Sequence, residues 1–262
     1  GVLNDKPYTD VLRTKTAAIN GPLAHSLTYQ SRTSLDVFGE IDATSPIPAG
    51  LPFTNKAWQP ITRTGRHSGV LTTPGYLLKF QSNRGRAHRF YNAFECSSFI
   101  PSGALPSPTE ACSKHEDLTQ RCGCNACHVK LEPMAAGWGR FAEYGATPLD
   151  ESRYPRSFAS ACSSINDLDT LLRCYRFYQV EAVGDEIPFK NQLRPYVFRP
   201  SADIAKIEIG PSALAQDAID SGAFAKCTVR RMWSYFMRRD PTPDEEVTVV
   251  STLAADFKSG GY

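Results

Sequence analysis

Cys124-Asn125-Ala126-Cys127-His128 sets two thiols three positions apart, with an imidazole directly after the second. At that spacing each thiol can add to one of the two vinyl groups of a haem. The adjoining His is then carried beneath the iron and binds it as the proximal ligand. Cys124 and Cys127 are the expected attachment residues of one covalent haem c, and His128 an iron ligand. Two other chemistries compete. Zinc needs four ligands, usually from two spaced pairs. Here a second pair is missing, and a set drawn from Cys122, Cys124, Cys127 and His128, or borrowing Cys112 or His115, has an unusual spacing. A thioredoxin-like dithiol wants a strand before the motif and a helix after it, whereas a Cys- and Gly-containing loop precedes this one. Haem stands first, zinc second and the dithiol third.

For the sixth iron position the preferred residue is His67, with His115 and Met134 as alternatives and an open position as another. Met134 lies six residues after His128; on a helix that is an advance of only about 9 Å, along a segment tethered to the proximal side. Met232 and Met237 fall in an apolar helical stripe, where packing explains them better. His88 stands off the apolar face of its helix and is expected to be exposed. His25 is given no role. His115 could be folded over the haem by a Cys112–Cys122 loop. His67 is distant in sequence and sits in a Gly- and Thr-rich loop, where backbone can approach a flat cofactor closely.

Arginines gather at Arg63 and Arg66 and again at Arg84, Arg86 and Arg89. A guanidinium suits a haem propionate, but the plainer reading of each is a solvated basic face. Trp138, Phe141 and Tyr144 follow the motif and serve equally as porphyrin walls or as ordinary core. Outside the motif six cysteines remain, Cys96, Cys112, Cys122, Cys162, Cys174 and Cys227. Their even number suits disulfides and an oxidising compartment, although buried free thiols are the bland alternative. The expected pairs are Cys162–Cys174, Cys112–Cys122 and, by what is left, Cys96–Cys227. Covalent haem attachment also takes place outside the cytoplasm, which points to a periplasmic or extracellular location.

The elements that must position these residues read as mostly α, with long Pro/Gly-rich loops. Residues 1–30 read as the tail of a helical region, with Tyr8, Val11, Leu12, Ala18 and Ile19 at roughly helical spacing and a break at Gly21-Pro22. Residues 42–60 are a proline-punctuated loop. For 69–80, strand and turn stand as alternatives to a helix. A short helix is expected over 86–96, with Ala87, Phe90, Tyr91 and Phe94 on one face, and another over 163–178. The strongest helical patterns are 223–238 and 243–257. The latter has Thr242 as N-cap, Glu245 three residues on, Pro243 in the first turn and Gly260 as its stop.

The chain has 262 residues and 41% hydrophobic composition, enough for a packed core. Its 29 basic and 27 acidic residues nearly balance, and no long run of one sign occurs, so neither nucleic acid nor a polybasic membrane contact is indicated. No apolar stretch reaches the roughly 18 residues of a membrane span.

The segment Arg121-Cys122-Gly123-Cys124-Asn125-Ala126-Cys127-His128-Val129-Lys130-Leu131-Glu132-Pro133 resembles the haem region of the planctomycete-type cytochrome family, large secreted bacterial proteins of several domains. In that family an Asp-Pro or Glu-Pro pair and a Gly-, Phe- and acid-rich stretch follow the motif. Glu132-Pro133, Gly137-Trp138-Gly139-Arg140-Phe141 and Glu143-Tyr144-Gly145 stand in those places. Gly69-Val70-Leu71-Thr72, Arg86-Ala87-His88, and Cys227-Thr228-Val229-Arg230-Arg231 with Tyr235 and Arg239 are similar to further family elements. Asn20-Gly21-Pro22-Leu23-Ala24 is similar to the end of the family's preceding domain. Met134-Ala135-Ala136-Gly137-Trp138 departs from the family's Phe-rich signature, so no specific activity carries over.

The resemblance implies a C-terminal, haem-bearing portion of a longer protein. Its parts would be the end of a preceding helical domain and a linker (1–55), a cytochrome c-like haem-binding region (56–150) and a C-terminal helical region (151–262). The implied function is single-electron transfer to a redox partner protein or another haem, within or outside a larger assembly. A haem enzyme acting on peroxide or dioxygen, and a haem-containing structural subunit, are the alternatives.

Overall fold

The computed structural model describes residues 6–33, 50–100, 107, 109–115, 118–143, 145–146, 148–149, 168 and 201–262, with the backbone alone at 29–33 and 201–204. The expected 163–178 helix, the Cys162–Cys174 pair, Tyr144 and most of both proline-rich loops lie outside the described residues.

The chain is mostly helical, as its patterning indicates. A short helix α1 (Asp10–Arg13) leads into strand β1 (Thr16–Ile19) and helix α2 (Gly21–Thr33). Strand β2 (Gln59–Thr62) pairs antiparallel with β1, Thr16 opposite Thr62 and Ile19 opposite Gln59. Gly21-Pro22 thus starts a helix where the sequence pattern suggests a break. Asn20 explains the difference: its Oδ1 accepts from Leu23 N at 3.0 Å, and Pro22 occupies the first turn, where a missing N–H leaves no bond unmade.

A 3₁₀ turn at Gly69–Thr72 and helix α3 (Pro74–Lys79) replace the strand alternative for 69–80. Thr73 caps α3 by accepting from Tyr76 N at 3.3 Å. Gly69 has φ +44, and a side chain there would collide with the backbone of Val11 and Leu12; the turn packs directly on α1. Helix α4 (Asn83–Glu95) is capped by Ser82 and buries Ala87 and Phe90, with Tyr91 and Phe94 half-buried on the expected face.

After the motif helix α5 (Asn125–Ala136) come α6 (Ser201–Ile209), α7 (Pro211–Asp220) and α8 (Ala223–Met237), then α9 (Pro243–Glu245). From α9 the chain runs through a π turn (Glu246–Val250) into α10 (Ser251–Ser259). The capping box at Thr242 and Glu245 forms, with Gly260 at the far end. In α8 the N-terminal half buries Phe224, Cys227 and Val229, while Met232, Phe236 and Met237 are exposed. The stripe that assigned those methionines to packing therefore covers the core over only part of its length.

One core gathers Leu12, Ile19, Leu71, Leu77, Phe90, Trp138, Phe141, Leu214 and Phe224, so early, middle and late stretches pack together. α4 packs on both α5 and α8. Disulfides join Cys96 to Cys227, fastening α4 to α8, and Cys112 to Cys122, closing the loop before the motif. No helix among the described residues is long and apolar enough to cross a membrane.

The Cys96–Cys227 bridge spans 131 residues, so it strongly limits the unfolded chain. Replacing both cysteines with Ser should lower unfolding stability by about 2–5 kcal/mol. Urea denaturation is the check: the unfolding free energy should fall by that amount, and by less when Cys112 and Cys122, only 10 residues apart, are replaced instead.

Candidate functional site

The motif sits at the start of α5. Gly123, at φ +77, turns the chain into it from the disulfide-closed loop, and Cys122 N donates to Cys112 O at 3.2 Å. Cys124 occupies the N-cap position, and its carbonyl accepts from Cys127 N at 3.1 Å and His128 N at 3.0 Å. These bonds place Cys124, Cys127 and His128 within a single helical turn. Cys124 and Cys127 are half-buried, and they are the free thiols among the described cysteines.

His128 Nδ1 meets Glu132 Oε1 at 2.6 Å, an i to i+4 contact along α5. The same oxygen accepts from Arg84 Nε on α4 at 2.7 Å. The Glu132 side chain is 5% exposed and that of His128 20%. With Nδ1 engaged by a carboxylate, Nε2 is the ring nitrogen left for another partner, as in a His that serves as metal ligand. Pro133 follows Glu132 inside the helix and removes one backbone donor, so tertiary contacts of α5 with α4 and α6 must hold this turn.

Two thiols and an imidazole on one half-buried helical turn match the donor set that covalent haem requires. Zinc fits less well. Two of the candidate zinc ligands, Cys112 and Cys122, are joined in a disulfide, and no group of three or more His, Cys, Asp or Glu side chains among the described residues could hold a metal ion. The dithiol reading lacks its strand, because residues 118–124 form turns.

The other singled-out residues have different surroundings. His67 is buried, at 2% exposure. Its Nδ1 lies 3.4 Å from Arg63 Nη1 and its ring stands edge-on to Phe141 at 6.0 Å. The glycine of its loop is used for close approach to α1, not to a cofactor. These contacts support a core role for His67. His115 and His88 are exposed, and Met134 is buried in the main core. His25 Nε2 contacts Leu51 O at 2.9 Å.

Arg63 donates to Thr72 O, Thr72 Oγ1 and Gly69 O, each at 2.9 Å, and burial holds its pKa below the ordinary value. Arg66 pairs with Glu208 at 2.8 Å. Arg86 is fully enclosed, and Arg89 lies over the Phe80 ring. Neither the propionate reading nor a solvated basic face describes Arg63 or Arg86, because each guanidinium donates to backbone carbonyls in the interior. Trp138 and Phe141 are fully buried, Trp138 stacking on Tyr76 and donating to Leu71 O at 3.0 Å.

The contact of Glu132 with both His128 and Arg84 was not anticipated from the sequence. The four-residue step from His128 to Glu132 was a usable signal; the approach of Arg84 from another helix left none. Comparison with protein families, curated proteins and solved structures finds no match.

As a core residue, His67 contributes packing on Phe141 and a polar neighbour to Arg63. Replacing it with Ala should lower stability by about 1–3 kcal/mol and leave the absorption spectrum of the purified chain unchanged. Chemical denaturation beside a spectrum decides: a change from low to high spin would assign His67 to the iron.

Proposed function

We propose that the chain is a cytochrome c-like protein. It holds one haem c through Cys124 and Cys127, with His128 as iron ligand, and passes single electrons to a redox partner protein or another haem in the periplasm or outside the cell. One observation carries this reading: the two free thiols and His128 share a helical turn, while Glu132 occupies Nδ1 of that imidazole. Bound there, the haem would supply one-electron cycling between ferrous and ferric iron.

The chain's own residues would do the rest. Cys124 and Cys127 fix the group at two points, so that it cannot dissociate. The Cys112–Cys122 bridge restricts the loop that presents them. Met134 on α5, and Trp138 and Phe141 just after it, are buried in the core, and limited water access is one of the factors that set a haem potential. The two disulfides support an oxidising compartment, as does the likeness of residues 121–133 to the secreted planctomycete-type cytochromes.

Absorption spectra of the oxidised and reduced chain test the proposal. The reduced protein should show the sharp long-wavelength band of a c-type haem. Cys124→Ala with Cys127→Ala should lose covalent attachment, and His128→Ala should change the spin state. Slow or absent carbon monoxide binding is expected of an electron carrier. Rapid binding would move the assignment to a haem enzyme acting on peroxide or dioxygen, and a chain without haem would remove it.

A further inference from the structure

The Glu132 carboxylate is in an unusual position for a surface helix. One of its oxygens is shared between His128 Nδ1 at 2.6 Å and Arg84 Nε at 2.7 Å, and its side chain is nearly enclosed. A carboxylate removed from water in this way needs paired partners, and it has two of opposite consequence. Toward His128 it is an acceptor that draws on the Nδ1 proton and makes the imidazole a stronger donor through Nε2. Toward Arg84 it is half of an ion pair, which withdraws charge from the same oxygen. The carboxylate lies on the motif's own helix and the guanidinium on α4, so the strength of the imidazole depends on how these two helices are packed.

Resting on the haem reading of the site, we propose that Glu132 and Arg84 are positioning residues that act through His128 to set the reduction potential of the iron in opposite senses. Glu132 fixes the tautomer with Nδ1 protonated and holds the ring plane. Its negative charge favours ferric iron, so it lowers the potential. Arg84 neutralises part of that charge, so it raises the potential. The pair fixes where the carrier stands relative to its partners without either residue touching the iron. The surroundings are consistent with a built arrangement: Asn83, beside Arg84, has its N–H taken by Glu143 Oε1 at 2.7 Å, and Ser82 caps the helix that delivers Arg84. The helix end that carries Arg84 is thereby held before a ligand arrives.

The test is redox titration of the haem-loaded parent chain, Glu132→Gln, Glu132→Asp and Arg84→Gln. Glu132→Gln keeps the shape and removes the charge, so its midpoint should rise. Arg84→Gln removes the positive charge beside the carboxylate, so its midpoint should fall. Glu132→Asp should lie between the parent and Glu132→Gln. A merely structural role would destabilise each variant without shifts of opposite sign. Midpoints of Glu132→Gln and Arg84→Gln that equal the parent's, or move the same way, overturn the proposal while the haem reading stands. If Glu132→Gln cannot be isolated, the direction of the Arg84→Gln shift decides alone. A parent chain that carries no haem overturns both readings together.

Discussion

A single interior cation holds the site-bearing part of this chain together. Arg86, on α4, is fully excluded from solvent. It donates to Phe80 O at 2.9 Å, Asn83 Oδ1 at 2.8 Å, Leu77 O at 3.1 Å, Ala142 O at 2.8 Å and Gly145 O at 3.1 Å. Burial pushes its pKa down to about 10, with Glu143 and Tyr76 acting to raise it. Four of the five acceptors are backbone carbonyls that would otherwise be orphaned in the interior. They belong to α3 with its C-cap and to the chain that leaves α5, so the guanidinium ties these two segments to α4. Losing one partner would strand several, which makes the arrangement intolerant of change. Tyr76 closes the same knot by donating to Arg86 O at 2.7 Å.

The motif helix lies between two such restraints. At its N-terminal side the Cys112–Cys122 bridge and the Gly123 turn set the entry. Beyond its C-terminal end Trp138 is locked by its bond to Leu71 O, and Ala142 and Gly145 by Arg86. What remains adjustable is the outward face of the first two turns, where Cys124, Cys127 and His128 stand. A rigid frame with reactive groups at its margin is what a covalently attached cofactor needs, because the attachment fixes two points and the protein must fix the ring of the third.

How much of this could be read in advance follows from the range of each interaction. The C-x-x-C-H spacing, the Thr242–Glu245 capping box, the face of α4 and the Cys112–Cys122 bridge are local features, and the sequence carries them openly. The fates of Arg63 and Arg86 depended on carbonyls brought in by folding, so their arginine clusters looked like surface. His67 does sit on a loop, but its burial was not legible for the same reason: Phe141, which stands edge-on to it, comes from a distant segment. Gly21-Pro22 was ambiguous in kind, since the same pair stops one helix and starts another; Asn20 was the deciding residue. The outer half of α8 shows a further limit. Periodicity marks an apolar face, but Met232, Phe236 and Met237 show that it does not say what covers it.

The account stands on covalent attachment at Cys124 and Cys127. It is tested most directly by the intact mass of the chain after maturation in an oxidising compartment, denaturation and extraction with acidified solvent. One haem retained per chain, on the peptide that contains both cysteines, is the predicted result. A mass equal to the bare polypeptide, with Cys124 and Cys127 free or joined to each other, would contradict it.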